Sequence, residues 1–187
     1  MILSTLDKCP IINQDTLNIL VCSDAIIVPA RNCPIGHTLT FELVQNIVTE
    51  TLGYKKKVVG ICYGGNPFTH EVVYVPLWMF NFFTEKKVEI EIVELPMAKT
   101  IRIQPYNTDI LTYGFPKLQK AFEQYNSLTR DTIVPIKLDD KVVYVEIIAV
   151  NDTKCSAQIR GSSVYFEFLP FLTKTLSWIG VGRRICD

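Results

Sequence analysis

The sequence predicts a β-rich α+β protein in which a small β-barrel precedes a smaller α+β unit. About six short apolar or alternating segments lie before residue 105, with brief Gly- and Pro-containing turns between them, as in small barrels. After Gln104-Pro105 the pattern changes to an amphipathic helix, a hairpin and two short strands. We therefore predict a barrel over residues 1–105, an α+β unit over residues 106–170 and a tail over residues 171–187.

The first barrel strands follow from hydrophobic runs and alternation. An apolar run that Pro29 ends predicts a buried strand, and alternation of polar and apolar residues predicts a half-buried one. The predicted strands are residues 25–28, 38–44, 57–63 and 72–75. Gly64-Gly65-Asn66-Pro67 forms the turn before the last of them. Within the first twenty-three residues, Asp15–Ser23 fits either a strand or a helical turn.

A short, mostly apolar helix follows the strand at residues 72–75. Pro76 suits the first helical position, where its missing N–H costs nothing, and Leu77–Phe83 continues the helix. A helix that is apolar all round must fill a core or close a barrel end, so we expect Trp78 to be buried and structural. Val88–Glu94 alternates with glutamates and predicts a strand with a carboxylate face toward water, and Thr100–Ile103 predicts one more.

The second unit begins with a helix at Pro116. Leu118, Phe122 and Tyr125 follow at helical spacing, which predicts that they share one buried face. The predicted strands are residues 132–138, 141–148, 156–159 and 164–168. The first two form a hairpin, and Pro135 inside the first predicts an edge position or a bulge.

Composition and charge exclude several classes of protein. The chain has 187 residues, of which 48% are hydrophobic, and its 19 basic residues balance 19 acidic ones. Nucleic-acid binders need a basic excess for phosphate contacts, so we predict no nucleic-acid partner; Lys55-Lys56-Lys57 is a solvated turn. No apolar run approaches the ~20 residues that span a bilayer, and no signal peptide is recognisable, so we expect no membrane insertion.

The six cysteines and two histidines predict neither a metal site nor a cofactor. No two cysteines have CxxC spacing, and the close ligand pairs typical of zinc sites are absent. We expect reduced thiols and a cytoplasmic or nuclear location. A Cys62–His70 nucleophile pair is a catalytic alternative, and a buried thiol beside a turn histidine is the simpler interpretation. No GxSxG, phosphate-binding or Asp-Thr-Gly motif is present, so we predict no enzyme and no catalytic residues.

Four segments resemble the ubiquitin fusion degradation protein 1 family. Tyr74-Val75-Pro76-Leu77-Trp78-Met79 resembles its Tyr-Leu-Pro-x-Trp-Met element, and Ile26-Ile27-Val28-Pro29 resembles its first barrel strand. Gln104-Pro105, Asp109 and Pro116-Lys117 are similar to a Gln-Pro…Asp-Phe-Leu…Pro-Lys stretch. Leu128-Thr129-Arg130-Asp131 resembles a shortened Leu-Thr-x-Gly-Asp element. The resemblance covers roughly residues 24–168 and implies a double-psi β-barrel followed by a smaller α+β subdomain.

The tail resembles the short box with which this family binds the valosin-containing AAA+ ATPase, roughly Phe-x-Gly-x-Gly-x-x-Leu. The corresponding residues are Trp178, Gly180, Gly182, Arg183, Arg184 and Ile185. The resemblance implies that the tryptophan fills a pocket, the glycines allow close backbone approach, the isoleucine anchors the far end and the arginines meet acidic rims. The alternative is a last turn packed on the core, with the tryptophan as core filler.

The resemblance implies an adaptor that binds polyubiquitin chains and delivers ubiquitylated proteins to the ATPase for unfolding and proteasomal degradation, including degradation from the endoplasmic reticulum. The ubiquitin-binding residues are not assigned. No segment resembles the one with which the family binds nuclear protein localisation protein 4, so that heterodimer stays an open alternative. The other function considered is a peptide- or protein-binding module on the same fold without ubiquitin affinity. An enzyme on a psi-type barrel is the least favoured.

Overall fold

The computed structural model describes residues 1–48, 53–106, 110, 112–152 and 154–169. The protein is β-rich with few helices and contains a sheet that curls into a half-barrel, which confirms the predicted β-rich class. The strands are β1 (Ile2–Thr5), β2 (Ala25–Ile26), β3 (Leu39–Val48), β4 (Gly53–Cys62), β5 (Val72–Val75), β6 (Glu89–Ile92), β7 (Thr100–Pro105), β8 (Ser127–Thr129), β9 (Thr132–Leu138), β10 (Lys141–Val150), β11 (Ser156–Gln158) and β12 (Tyr165–Phe168). The helices are α1 (Gln14–Leu20), α2 (Leu77–Phe82) and α3 (Phe115–Ala121), besides a 3-10 turn at Leu6–Lys8.

The first half of the chain, which contains β1 to β6, forms two sheets, and β7 to β12 belong to the second half. One has the strand order β2-β4-β3-β6, in which β3 lies antiparallel to both β4 and β6 and β2 lies parallel to β4. The other is the parallel pair β1-β5, which an isolated bridge between Ile27 and Tyr74 connects to the chain just after β2. Strands far apart in sequence thus pair in parallel, which requires the chain to cross over itself between them.

The second half forms a sheet with the order β12-β7-β10-β9 and the pair β11-β8. Strand β7 contains Thr100–Ile103, which the sequence predicts as the last barrel strand. Its main chain instead pairs antiparallel with β10 and parallel with β12, so it lies inside the sheet of the second half. Sheet membership depends on partners that follow β7 in sequence, which periodicity does not reveal. The domain boundary near residue 105 stays a prediction.

One hydrophobic core runs through both halves. It includes Val58 and Val75 from the first half and Ile101, Ile136 and Val145 from the second, all fully buried. A smaller cluster packs α1 against the first turn of the chain and Tyr74. Because the main core is continuous, side chains from both halves are held in fixed positions where the halves meet.

The short helix α2 differs by one residue at each end from its prediction, since it ends at Phe82 rather than Phe83. It begins at Leu77 rather than Pro76, because Pro76 has an extended backbone (φ −56°, ψ 150°) and serves as the N-cap. Trp78 is 8% exposed, which confirms its predicted burial. Its indole N–H donates a hydrogen bond to the carbonyl of Ser23 at 2.8 Å, so the helix is attached to the segment preceding β2.

Other local predictions are confirmed in part. The prediction of a turn at Lys55-Lys56-Lys57 is wrong, because these residues lie within β4 and pair with β3. Leu118, Phe122 and Tyr125 are buried as predicted, but the helix is shorter than predicted: it ends at Ala121, Phe122 is its C-cap and Tyr125 lies beyond it. Pro135 lies on β9, the edge strand of its sheet, where a missing N–H donor is tolerated. The segment left open near the N-terminus is helical in α1, whose first turn is capped by the Asn13 side chain, since its Oδ1 accepts from the Thr16 N–H at 2.8 Å.

Candidate functional site

The residues predicted to bind the ATPase fall beyond the part of the chain that the structure describes. These residues are Trp178, Gly180, Gly182, Arg183, Arg184 and Ile185. Asp109, one of the positions that carries the family resemblance, is also outside the described residues. The predicted box therefore remains a prediction, and the candidate site lies among the residues that the structure describes.

The junction of the two halves is organised by the buried carboxylate of Asp24. This residue directly precedes β2 and is 1% exposed. Its Oδ1 accepts hydrogen bonds from the main-chain N and the Nδ2 of Asn126, at 2.9 and 3.1 Å. Its Oδ2 accepts from the main-chain N and the Oγ of Ser127, at 2.9 and 2.7 Å. The carboxylate thus joins the start of β2 to the start of β8.

The electrostatics of Asp24 combine two opposing effects. Removal from water penalises the charged carboxylate and raises the pKa of Asp24, while the hydrogen bonds from Asn126 and Ser127 favour the charged form and act in the opposite direction. The effect of burial is the larger, so the pKa of Asp24 is raised. Four donors directed at two oxygens also fix the geometry, because a donor left unpaired in the interior is costly.

A second hydrogen bond joins the halves beside this carboxylate. The main-chain N of Val59 on β4 donates to the Oγ1 of Thr129 on β8 at 3.2 Å, and the Ser156 hydroxyl donates to the same oxygen at 3.0 Å. Thr129 is 4% exposed, so these bonds are protected from water. The relative position of β4 and β8 is therefore set by specific polar contacts as well as by apolar packing.

Asn126 connects the buried carboxylate of Asp24 to two side chains at the surface. Since its main-chain N and Nδ2 both donate to Asp24, its Oδ1 is available on the other side. That oxygen accepts from Arg160 Nη1 at 3.0 Å and from the Tyr63 hydroxyl at 3.1 Å. Arg160 Nη1 also donates to the Tyr63 hydroxyl oxygen at 3.2 Å. The three side chains form a closed triangle of hydrogen bonds in which the guanidinium is held in place.

This triangle borders a cavity of about 290 Å³ at the junction. Its lining residues come from both halves: Thr38, Thr40, Ile61, Tyr63, Leu95, Asn126, Ser127, Gln158 and Arg160. Among them Arg160 alone carries a charge at neutral pH. The others supply hydroxyl and amide groups and two aliphatic walls, an arrangement suited to binding a polar or anionic group.

A second, larger cavity of about 620 Å³ lies beside α3. Its apolar wall includes Phe122 and Phe166, whose rings stack with centroids 5.0 Å apart. Lys120 and Glu123 are among its polar lining residues, and Arg160 borders this cavity as well as the first. Arg160 is thus accessible from two adjoining depressions of the surface.

Cys62, the candidate nucleophile in the sequence, is not an activated thiol. Its side chain is fully buried and donates to the Gly64 carbonyl at 3.0 Å. Burial raises the pKa of the Cys62 thiol to about 12, so the reactive thiolate is not populated near pH 7. His70 is exposed, and no hydrogen bond joins it to Cys62 in the described structure.

The remaining cysteines agree only in part with the expected reduced state. Cys9, Cys22 and Cys33 are free and buried, as is Cys62. Cys155 is disulfide-bonded, so the expectation of reduced thiols is wrong for this residue. Within the described ranges, no group of three or more His, Cys, Asp or Glu side chains is placed to hold a metal ion. No helix in that same part of the chain has the length and apolar character needed to cross a membrane.

The sequence analysis missed the residues that build this site. Asp24 precedes an apolar strand and Asn126 follows a helix, positions where polar residues are common as caps and turn formers. Their interaction spans 102 residues, and no local pattern links them. The sequence features that accompany this interaction are an acidic residue just before one buried strand and an Asn-Ser pair at the start of another.

Comparison of the chain with models of known protein families and with curated proteins yields no match.

Proposed function

We propose that this chain is a non-catalytic adaptor that binds polyubiquitylated proteins and recruits them to the valosin-containing AAA+ ATPase. The observation that carries the proposal is the segment Tyr74-Val75-Pro76-Leu77-Trp78-Met79. It forms the end of a buried strand, a proline N-cap and the start of α2. Val75, Trp78 and Met79 are buried, so the residues that resemble the family element each have a place in the core.

We further propose that the first half is a double-psi β-barrel. The parallel pairs β1-β5 and β2-β4 support this, because each joins strands that are far apart in sequence. The curled half-barrel sheet is also in keeping with it. An additional parallel bridge between Pro29 and Asn66 places the loops after β2 and β4 side by side, as interlocked strand connections require.

In this proposal the two binding functions belong to different parts of the chain. The tail anchors the ATPase through Trp178 and Ile185, with Gly180 and Gly182 allowing the two backbones to approach. Ubiquitin chains bind the folded domain. The free, buried thiols support a cytoplasmic or nuclear location, whereas the disulfide at Cys155 opposes it.

Two binding measurements test the adaptor proposal. The purified full chain is mixed with the hexameric ATPase and analysed by size-exclusion chromatography, and it is separately passed over immobilised polyubiquitin chains. We expect co-elution with the hexamer and retention on the chains, with Trp178→Ala abolishing only the first. Failure of the wild-type chain in both measurements would contradict the proposal.

A second candidate function is a peptide-binding module without ubiquitin affinity. The observation that favours it is the cavity bordered by Arg160, Asn126 and Tyr63, which offers a fixed cation and several hydrogen-bonding groups. Retention on polyubiquitin distinguishes the two functions, because this alternative predicts none.

A further inference from the structure

We infer that the cavity at the junction of the two halves binds a side-chain carboxylate from an extended acidic segment of a partner protein, with Arg160 as the anchor. The inference does not depend on the adaptor proposal, because it rests on contacts within the folded domain alone. The ligand class is an internal Asp or Glu residue of a peptide.

The first step concerns the unused hydrogen-bonding capacity of Arg160. A guanidinium has five N–H donors, and here Nη1 donates to Tyr63 and Asn126. No described Asp or Glu forms an ion pair with Arg160, whereas Arg102 pairs with both Glu167 and Asp152. The N–H groups on Nε and Nη2 therefore remain for a ligand, and a guanidinium fork matches a carboxylate in shape and charge.

The second step concerns the orientation of the Arg160 guanidinium, which contacts within the protein fix before a ligand binds. Arginine side chains on protein surfaces usually sample many rotamers, and ordering one on binding costs affinity. Here the guanidinium is already held by Asn126, which Asp24 fixes from the interior through two hydrogen bonds. Tyr63 closes the triangle. Part of the ordering cost is thus met by folding, before any ligand arrives.

The third step identifies the anion. Among the described residues that line the cavity, Arg160 is the only one charged at neutral pH, so one positive charge faces the ligand. A single cation suits a monoanionic carboxylate better than a phosphate, which carries about −1.5 to −2 charges and is usually bound by several donors. Ile61 and Leu95 supply aliphatic contacts for the methylene groups of an acidic side chain.

The fourth step favours an internal acidic residue over a C-terminal carboxylate. Chain termini are typically captured by clusters of main-chain N–H groups. The main-chain N–H groups of Asn126 and Ser127, at the floor of this cavity, already donate to Asp24. Those two groups are therefore not free to capture a terminal carboxylate, and a volume of about 290 Å³ admits one or two side chains rather than a folded element.

The test uses the full chain and three short synthetic peptides. The first is a capped Gly-Glu-Glu-Glu-Gly peptide, the second its capped Gln counterpart, and the third the Gln peptide with a free C-terminus. Binding is followed by ¹⁵N NMR, with the Asn126 side-chain amide and the Ser127 amide as reporters. We expect saturable binding of the Glu peptide, with shifts at both reporters, and at least about ten-fold weaker binding of the other two.

Matched variants separate the site from general electrostatics. Arg160→Gln should lower the affinity for the Glu peptide by about ten-fold or more. Arg102→Gln, which removes a positive charge elsewhere, should leave that affinity unchanged. Arg160→Lys, which keeps the charge without the fork, and Tyr63→Phe, which removes one positioning contact, should give intermediate losses. These two variants carry the test if Arg160→Gln fails to fold.

Three outcomes would overturn the inference. The first is equal affinity for the Glu and Gln peptides, or no binding of any peptide at millimolar concentration. The second is an equal effect of the substitutions at Arg160 and Arg102, which would indicate unspecific attraction. The third is preferential binding of the free-acid peptide, which would assign the site to a chain terminus instead.

Discussion

Asp24 and Asn126 lie 102 residues apart in the chain, yet the main-chain N and the Nδ2 of Asn126 both donate to Oδ1 of Asp24. This pair joins the residue that precedes β2 to the residue that precedes β8. It also sets the direction in which Asn126 Oδ1 faces Arg160. Stability and the candidate binding site therefore depend on the same buried carboxylate.

Replacement of Asp24 by Asn should destabilise the fold strongly. An amide in place of the carboxylate brings an NH₂ group against the donors of Asn126 or Ser127, which leaves buried donors unpaired at ~1–3 kcal/mol each. We expect a loss of about 2–4 kcal/mol in the free energy of unfolding, measured by urea denaturation. Asp140→Asn, at an exposed position, is the matched control and should be neutral. Equal stability of the two variants would show that Asp24 does not organise the junction.

The contribution of Asp24 to stability should depend on pH in a defined direction. Burial raises the pKa of Asp24 above its unfolded value of about 3.9, so the folded state binds the proton more tightly than the unfolded state. The stability that this group contributes is therefore full at low pH and decreases as pH rises from about 4 through the folded pKa. The difference in unfolding free energy between wild type and Asp24→Asn should be smaller at pH 8 than at pH 4.5. A difference that grows with pH would mean that the hydrogen bonds outweigh burial.

Trp78→Ala should be among the most destabilising single substitutions in α2. The side chain is 8% exposed and its indole N–H is bonded to Ser23, so truncation removes core packing and leaves that carbonyl unpaired. We expect a loss of ~3–5 kcal/mol, a large share of the ~5–15 kcal/mol of a typical domain. Leu77→Ala, on the same helix but 59% exposed, should change the melting temperature little. Similar melting temperatures for the two variants would refute the structural role of Trp78.

Tyr125→Phe isolates one buried hydrogen bond. The Tyr125 hydroxyl donates to the Pro135 carbonyl at 2.6 Å, which attaches the end of the α3 segment to edge strand β9. Its removal leaves a buried carbonyl unpaired, and we expect a loss of about 1–3 kcal/mol in thermal or chemical unfolding. Tyr165→Phe, at a position that is 63% exposed, serves as the control. If both variants unfold at the same denaturant concentration as wild type, this bond contributes nothing to stability.

The elements predicted best from the sequence are those whose signals are local. Leu118 is buried on α3 as the helical spacing predicts, because the period of a helix determines which residues share its buried face, whereas Phe122 and Tyr125 are buried at and beyond the C-cap. Pro135 indicates an edge strand for an equally local reason, the missing N–H donor. Such features can be predicted from the local sequence, without knowledge of the rest of the chain.

Features that depend on distant partners were not predictable in the same way. Thr100–Ile103 is correctly predicted as a strand, but its membership in the second sheet depends on β10 and β12, which follow it. The cluster of Asp24, Asn126 and Arg160 has no motif at all, since folding alone brings these positions together. Sequence periodicity specifies which face of an element is buried, but it does not identify the element that covers it.

The central claim is that the tail, and not the folded domain, recruits the AAA+ ATPase. Deletion of residues 175–187 tests it most directly, with melting temperature, retention on polyubiquitin and co-elution with the hexameric ATPase measured on the same preparation. Because an aromatic anchor typically contributes at least ~2 kcal/mol, we expect loss of co-elution while the melting temperature and ubiquitin binding stay unchanged. A deleted chain that is folded and still co-elutes with the ATPase would contradict the claim, as would a deletion that unfolds the domain and so shows Trp178 to be part of the core.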